Sequence, residues 1–235
     1  MNALAHKPPN ASSKPSAAAI ARFPHKEPIS GSAPLISKAR SLTAKARTHF
    51  NGSSVIGANP SLSGGCIGDI DAHFSSPENI GRVDAALTDC HLAIKAWLRA
   101  IPMLKPDSRG IFEACLSLGE LYSKRSKLID WNSVRAFSKK STFLLAQLRS
   151  LEAMKISRSY IEKAMRCKVQ PALPELEVQP LKARLMWVHE SLSYCYTGVS
   201  GAYLRSGDGE KAEKAAQLDK KHGEMRSKLG EQLYF

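Results

Sequence analysis

The segment from Leu181 to Leu229 constrains the fold more than any other part of the chain, because it contains two helical patterns separated by one tight turn. Apolar residues recur in the first pattern at steps of four and three: Leu181, Leu185, Val188, Leu192, Cys195, Val199 and Ala202. The second pattern opens at Glu210 and contains Ala212, Ala215, Leu218, His222, Met225 and Leu229. Such spacings put side chains on one face of an α-helix. A turn this short makes the two helices antiparallel, so a helical hairpin is predicted.

The turn between the two patterns contains Gly207, and glycine adopts positive φ without a Cβ clash. Ala202-Tyr203, Gly207 and Ala212 resemble the middle of a tetratricopeptide (TPR) unit, in which Tyr, Gly and Ala recur at these offsets. The resemblance covers about one repeat, and Val199-Ser200 stands where the family has Leu-Gly. It implies stacked TPR-like helical hairpins, whereas the residues alone predict a generic antiparallel hairpin.

The same periodicity predicts further helices upstream. Ser76-Pro77-Glu78 provides an N-cap, a proline at the first helical position and an acid in the first turn. An apolar stripe then runs from Ile80 to Ile101, and Pro102 and Pro106 end it. Asp107 is the predicted cap of the next helix, whose apolar face is Ile111, Cys115, Leu118 and Tyr122.

A third helix is predicted to begin at Asp130 and to continue as far as Met165, with a kink near Ser157. Three prolines within residues 170–180 then predict an extended, Pro-rich connection, because proline lacks the N–H that a helix needs. No strand-period segment occurs after residue 76. The predicted class is therefore all-α, with an antiparallel helical bundle or TPR-like helical hairpins over residues 76–235.

Residues 1–75 are predicted to form a disordered basic tail that is rich in Ala, Ser and Pro. Residues 1–68 contain eight Lys or Arg and one acid, Glu27, and so carry +7 of the net charge of +13. A segment of this composition cannot bury enough apolar surface to offset the entropy lost on ordering. Gly and Ser dominate residues 51–75, which are interpreted as a flexible connection.

A short amphipathic helix over residues 34–50 is the predicted exception within this tail. Pro34 suits a first helical turn, and Asn51-Gly52 is a stop signal. One stripe carries the apolar residues Leu35, Ala39, Leu42, Ala46 and Phe50. The basic residues lie mostly off that stripe: Lys38, Arg40, Lys45 and Arg47. Helices of this kind bind anionic membranes or receptor grooves.

The composition of the tail fits several functions. An acid-poor amphipathic leader that contains Ser and Arg is typical of mitochondrial and plastid transit peptides. Ser-rich leaders also precede bacterial effectors that are secreted into a host cell, and a basic arm neutralises phosphate in RNA-packaging proteins. A solvated linker without a role is the remaining alternative. Localisation therefore stays open between import into an organelle, secretion into a host cell, and the cytoplasm.

Chemistry-bearing residues form no recognisable site in the sequence. The five cysteines are scattered and lack a C-x-x-C motif, which disfavours a disulfide scaffold or zinc site and favours a reducing compartment. His189-Glu190 lacks the second His of a zinc-protease motif, and His91 and His222 are interpreted as ordinary helix residues. No catalytic, cofactor-binding or metal-binding residue is nominated, and no cofactor is expected.

The function favoured by these patterns is not enzymatic, although an unfamiliar active site stays open. No apolar run approaches the ~18 residues of a transmembrane helix, and the N-terminus lacks the apolar region of a secretory signal peptide. We expect a helical protein–protein interaction module or effector-like protein, delivered by its N-terminal targeting or secretion segment, that binds another protein through a helical groove. The alternative is an RNA-binding or RNA-packaging protein, with a basic arm on an all-α core that contacts nucleic acid or an anionic membrane.

Overall fold

A computed structural model describes residues 32–52, 77–106, 108–134, 140–168 and 175–234 of the chain. These residues form six α-helices: α1 (Ser32–Gly52), α2 (Pro77–Ala100), α3 (Arg109–Val134), α4 (Lys140–Arg166), α5 (Glu175–Ser206) and α6 (Gly209–Tyr234). A short 3-10 helix, Ile101–Met103, follows α2. The described part of the chain contains no strand, so the predicted all-α class is confirmed.

The helices of the pairs α3–α4 and α5–α6 pack antiparallel, as their short connections predict. In the last hairpin, His189 and Ser200 of α5 contact His222 and Ala212 of α6 respectively, so the residue numbers run in opposite directions. Hydrogen bonds between α3 and α4 follow the same rule. The structure is therefore a helical bundle with extensive contacts within the pairs α1–α2, α3–α4 and α5–α6, and also between α4 and α5.

Helix α1 is the short amphipathic helix predicted over residues 34–50, but it does not belong to a separate tail. Its residues Ala39 and Ala46 are fully buried in one hydrophobic cluster with Cys90 and Trp97 of α2. The predicted boundary between a tail (1–75) and a helical domain (76–235) is therefore wrong for α1. The apolar stripe of α1, which the sequence assigned to a membrane or a receptor groove, packs on this cluster instead. The disorder predicted for residues 1–31 concerns a part of the chain outside the described residues.

The first turns of α2 and α3 show how local sequence sets the helix boundaries. Pro77 is the first residue of α2, as predicted, and the 3-10 helix that contains Pro102 follows its last residue. The N–H of Ile111 donates to the Ser108 hydroxyl at 3.3 Å, which makes Ser108 an N-cap of α3. The predicted caps at Ser76 and Asp107 lie outside the described residues.

The predicted long helix from Asp130 to Met165 is wrong, because two helices occupy that stretch. Asp130 lies inside α3, which ends at Val134, and α4 begins at Lys140. The apolar stripes of two consecutive helices can continue the same periodicity, so spacing alone does not separate them from one helix. Ser157, the predicted kink, donates its hydroxyl proton to the Gly119 carbonyl across the α3–α4 contact at 2.6 Å.

The predicted extended connection over residues 170–180 is also wrong for its second half. Helix α5 begins at Glu175 and includes Pro180 in its second turn. A proline at this position removes one backbone hydrogen bond close to the helix end. The rest of this 32-residue helix keeps its own hydrogen bonds and its buried stripe, which begins with Leu181.

The α3–α4 contact combines a close backbone approach with reciprocal polar bonds. A Cβ added at Gly119 would lie 2.6 Å from Cγ1 of Ile161, so only glycine fits there. Ser126 donates to the Ser150 carbonyl at 2.8 Å, and Ser150 donates to the Ser126 carbonyl at 3.0 Å. These buried bonds have one correct register, so they fix how α3 and α4 align.

The final hairpin agrees with its prediction in most respects. Leu192 is fully buried among residues of α4, α5 and α6. Gly207 has φ of +84°, and the N–H groups of Gly207 and Asp208 donate to the carbonyls of Leu204 and Tyr203 at 3.1 and 3.0 Å. This pattern is a Schellman motif that ends α5. Leu218 departs from the prediction, because its side chain is exposed rather than part of the buried stripe.

Leu192→Ala is expected to destabilise the protein by about 2–5 kcal/mol, the usual cost of truncating a buried leucine whose cavity collapses only partly. The control is Lys228→Ala on the exposed side of α6, which should change stability by less than ~0.5 kcal/mol. Urea unfolding followed by circular dichroism measures both. Equal unfolding midpoints for Leu192→Ala and the wild type would show that this stripe is not a core.

Gly207→Val is expected to destabilise the turn by about 1–3 kcal/mol, because a β-branched residue is strained at positive φ. Gly209→Ala is the matched control, since Gly209 is the first residue of α6 and a Cβ there meets open space. That substitution should be neutral or slightly stabilising. Thermal melts compare the two variants, and a Gly207→Val variant as stable as Gly209→Ala would contradict the strained-turn assignment.

Candidate functional site

Two arginine–glutamate pairs align α1 with α3. Arg40 binds Glu113 with both its Nε and Nη2 at 2.6 Å, and Arg47 binds Glu120 at 2.9 and 2.5 Å through the same two atoms. The two arginines and the two glutamates have the same spacing of seven residues. Residues seven apart lie on one face of a helix, so α1 and α3 are parallel and in register.

The charge states of these pairs follow from their contacts. Hydrogen bonding to Glu113 raises the pKa of Arg40, and hydrogen bonding to Glu120 raises the pKa of Arg47. Burial by itself would raise the pKa of Glu120, but the hydrogen bond and charge of Arg47, together with the charges of Lys124 and Arg184, outweigh it and leave that pKa below its ordinary value. Arg47 and Glu120 are therefore both ionised at neutral pH.

Trp97 and Asp89 of α2 hold α1 from the other side. The Trp97 indole N–H donates to the Thr43 hydroxyl at 2.9 Å, and that hydroxyl donates to the Ala39 carbonyl at 2.8 Å. The buried carboxylate of Asp89 pairs with Lys45 at 3.0 Å. His49 Nδ1 lies 2.5 Å from Asp89 Oδ2 without the alignment of a hydrogen bond. These contacts fix the position of α1 over α2.

A groove of about 410 Å³ opens where α1, α2, α3 and α5 meet. Its lining is Arg40, Thr43 and Arg47 from α1, Trp97 from α2, Arg109, Phe112, Glu113, Leu116 and Ser117 from α3, and Arg184 from α5. The volume is in the range of small-ligand sites. We call the exposed arginines of this lining the walls of the groove and the buried rings of Trp97 and Phe112 its floor.

The charge of the groove is unbalanced. Glu113 neutralises Arg40, and Glu120, just beyond the lining, neutralises Arg47. Arg109 and Arg184 lie on exposed parts of α3 and α5, and neither forms an ion pair with any residue that the structure describes. The groove therefore has more arginines than carboxylates, and the charge of Arg184 reaches only Glu120, which is already paired with Arg47, among the described carboxylates for which such an interaction is seen.

A second polar cluster lies in the interior, where His189 of α5 meets His222 of α6. Their Nδ1 atoms are 2.9 Å apart, so one ring donates to the other, and the Tyr196 ring stacks on His222 at 5.4 Å. Burial, followed by the charge of Arg158, lowers the pKa of His189. Burial first, then the neighbouring His189 and Arg158, lowers the pKa of His222 to about 4. This pair is a neutral structural contact at pH 7.

Three of the four described cysteines have thiols that are not activated as nucleophiles. Burial raises the pKa of Cys90, Cys115 and Cys195 to about 11, so these thiols stay protonated at neutral pH and react poorly. In the ranges covered by the structure, no three His, Cys, Asp or Glu side chains are grouped to hold a metal ion. Cys66 lies outside those ranges. No described helix is both long and apolar enough to cross a bilayer.

Neither a family model, nor a curated protein, nor a solved structure matches this chain. The resemblance to a TPR unit therefore depends on Ala202-Tyr203, Gly207 and Ala212 alone. The groove is consequently interpreted from its own chemistry.

The sequence predicted the helices around the groove but not the groove itself. Arg40 and Arg47 were assigned to a tail, and Arg109 and Arg184 were not singled out. One sequence feature could have indicated that α1 pairs with α3. Arg40 and Arg47 are seven residues apart, and so are Glu113 and Glu120. The structure also joins His189 and His222, which the sequence left as isolated residues.

The pair of buried histidines predicts a loss of stability in mild acid. The unfolded chain takes up protons near pH 6.5, whereas folded His222 resists protonation down to about pH 4. The unfolded state therefore binds more protons in this window, and the free energy of unfolding falls as the pH drops from 6.5 towards 4.

Urea unfolding at pH 7 and pH 5 measures this loss. His222→Gln should lose less stability between the two values than the wild type, because it removes one buried titrating group. His91→Gln is the control, since His91 is exposed on α2, and it should behave as the wild type does. Equal losses in the wild type and His222→Gln would contradict the assignment.

Proposed function

We propose that this chain is a non-enzymatic helical module that binds another protein through the groove between α1, α2, α3 and α5. The observation that carries the proposal is the groove itself, a concavity of about 410 Å³ with an apolar floor and donor-rich walls. Four helices build it, and buried contacts fix each of them. A site built on packed helices loses little conformational freedom when a partner binds.

The chemistry of the described residues supports binding rather than catalysis. The buried thiols have raised pKa values, and His189 and His222 contact each other instead of a nucleophile. A nucleophile needs a base within hydrogen-bond reach or a lowered pKa. The groove contributes arginines, one carboxylate and hydroxyls, a set that suits recognition of a polar ligand.

The alternative function, RNA binding through a basic arm, loses part of its support once α1 is placed. Arg40, Lys45 and Arg47 form ion pairs with Glu113, Asp89 and Glu120 respectively. The positive charge of these three side chains is therefore largely neutralised by carboxylates of the same chain. The remaining basic residues of the arm are exposed Lys38 and the four within residues 1–31, and RNA binding would depend on them. Nucleic-acid affinity should fall steeply with salt, whereas a partly apolar groove contact should not.

Delivery by the N-terminal segment is proposed for residues 1–31 only. Removal of a transit peptide near residue 50 would take away α1 and with it one wall of the groove. A leader that is removed from this protein would therefore end before Ser32. N-terminal sequencing of the protein from its native source locates that end.

Selection of peptides from a displayed random library on the full chain tests the proposed function. The selected peptides should bind the wild type with a Kd of about 1–100 µM, which corresponds to a binding free energy of roughly −8 to −5 kcal/mol. Leu116→Trp, which adds bulk inside the groove, should weaken that binding at least tenfold. Leu145→Trp is the matched control, because Leu145 is an exposed leucine of α4 outside the groove lining.

Thermal melts establish that both tryptophan variants are folded before the affinities are compared. A library that yields no binding peptide contradicts the proposed function. Peptides that bind the wild type, Leu116→Trp and Leu145→Trp equally well contradict the assignment of the groove.

A further inference from the structure

We infer that the segment bound in the groove is acidic, and that its Asp or Glu carboxylates are held by Arg109 and Arg184. This inference rests on the proposed function and adds the chemical class of the partner. In the groove, two exposed guanidinium groups that form no ion pair with a described carboxylate lie beside the buried rings of Trp97 and Phe112.

The first support is charge complementarity. Of the four arginines in the lining, two are matched by Glu113 and Glu120, while Arg109 and Arg184 have no ion pair among the described residues. Guanidinium groups bind carboxylates in a planar, two-point geometry that a neutral ligand cannot reproduce. A ligand with at least two carboxylates therefore matches the groove better than a neutral or basic one.

The second support is that the two paired arginines are already oriented. Arg40 and Arg47 each use Nε and Nη2 for their glutamate, which leaves Nη1 and the second hydrogen of Nη2 as donors. Both arginines line the groove from α1, so these donors are available to an oxygen of a bound ligand. Their side chains are already ordered by the ion pairs, so the entropic cost of engaging them is small.

The floor of the groove distinguishes a peptide from RNA. Trp97 and Phe112 are buried, with 1% and 8% of their surface exposed, so neither presents an open ring face. Recognition of single-stranded RNA depends on bases stacked on exposed aromatic rings. A floor of buried rings with half-buried Leu116 instead accepts an aliphatic side chain between two carboxylates.

The experiment compares two display selections from one random peptide library, one on the wild-type chain and one on the Arg109→Gln/Arg184→Gln double variant. The wild-type pool should be enriched in Asp and Glu relative to the unselected library. The double variant should lose that enrichment while it still retains apolar binders. A wild-type pool that binds but has no acidic enrichment overturns the inference and leaves the proposed function standing.

Fluorescence anisotropy then measures the strongest acidic peptide from the wild-type pool. Its affinity should fall at least tenfold on the double variant, and by a similar factor when its own Glu and Asp become Gln and Asn. The charge-matched control is Arg149→Gln/Lys228→Gln, which removes two exposed cations on α4 and α6 outside the groove lining. A control variant that loses as much affinity as the Arg109/Arg184 variant shows a general charge effect and overturns the site.

A single-stranded oligouridylate of twelve nucleotides is the remaining probe. It should bind the wild type more weakly than the selected peptide and should not depend on Arg109 and Arg184. An oligonucleotide that binds more tightly than the peptide, and is lost on the double variant, would assign the groove to nucleic acid and overturn the inference.

Discussion

The docking of α1 is the interaction on which the candidate site depends. Burial of Ala39 and Ala46 against Trp97 supplies the apolar part, and the Arg40–Glu113 and Arg47–Glu120 pairs set the register. Exposed ion pairs contribute little to stability, typically less than ~1 kcal/mol each, so the apolar contact holds the helix in place. The ion pairs decide where along α3 it lies, and thereby create an arginine wall opposite Arg184 of α5.

Polar groups inside the bundle have a similar aligning role. Ser126 and Ser150 exchange hydrogen bonds between α3 and α4, and His189 and His222 join α5 to α6. Apolar stripes alone tolerate sliding by one turn, whereas a buried polar group that loses its partner costs about 1–3 kcal/mol. Burial of apolar side chains therefore stabilises the bundle, while a few hydrogen bonds fix how its helices align. The positions of the residues that line the groove depend on that alignment.

The spacing of apolar residues correctly predicted the features that depend on residues close in sequence. The stripe through Leu192 and the turn at Gly207 depend on neighbours in sequence, and both agree with the structure. The break between α3 and α4 was missed because two consecutive stripes share one periodicity, and the start of α5 was misplaced because Pro180 was given too much weight. The groove depends on Arg109 and Arg184, whose proximity arises only from the packing of α3 and α5, and no local pattern encodes it.

The hydrogen bond between Trp97 and Thr43 has an optical consequence. Of the three tryptophans, Trp97 and Trp131 are buried, with 1% and 5% of their surface exposed, whereas Trp187 is 62% exposed. Trp97 is shielded by α1, so its emission reports on that helix, while Trp187 is open to collisional quenchers such as iodide. The quenchable fraction of the fluorescence thus separates a chain with α1 docked from one in which it has left, without any attached dye.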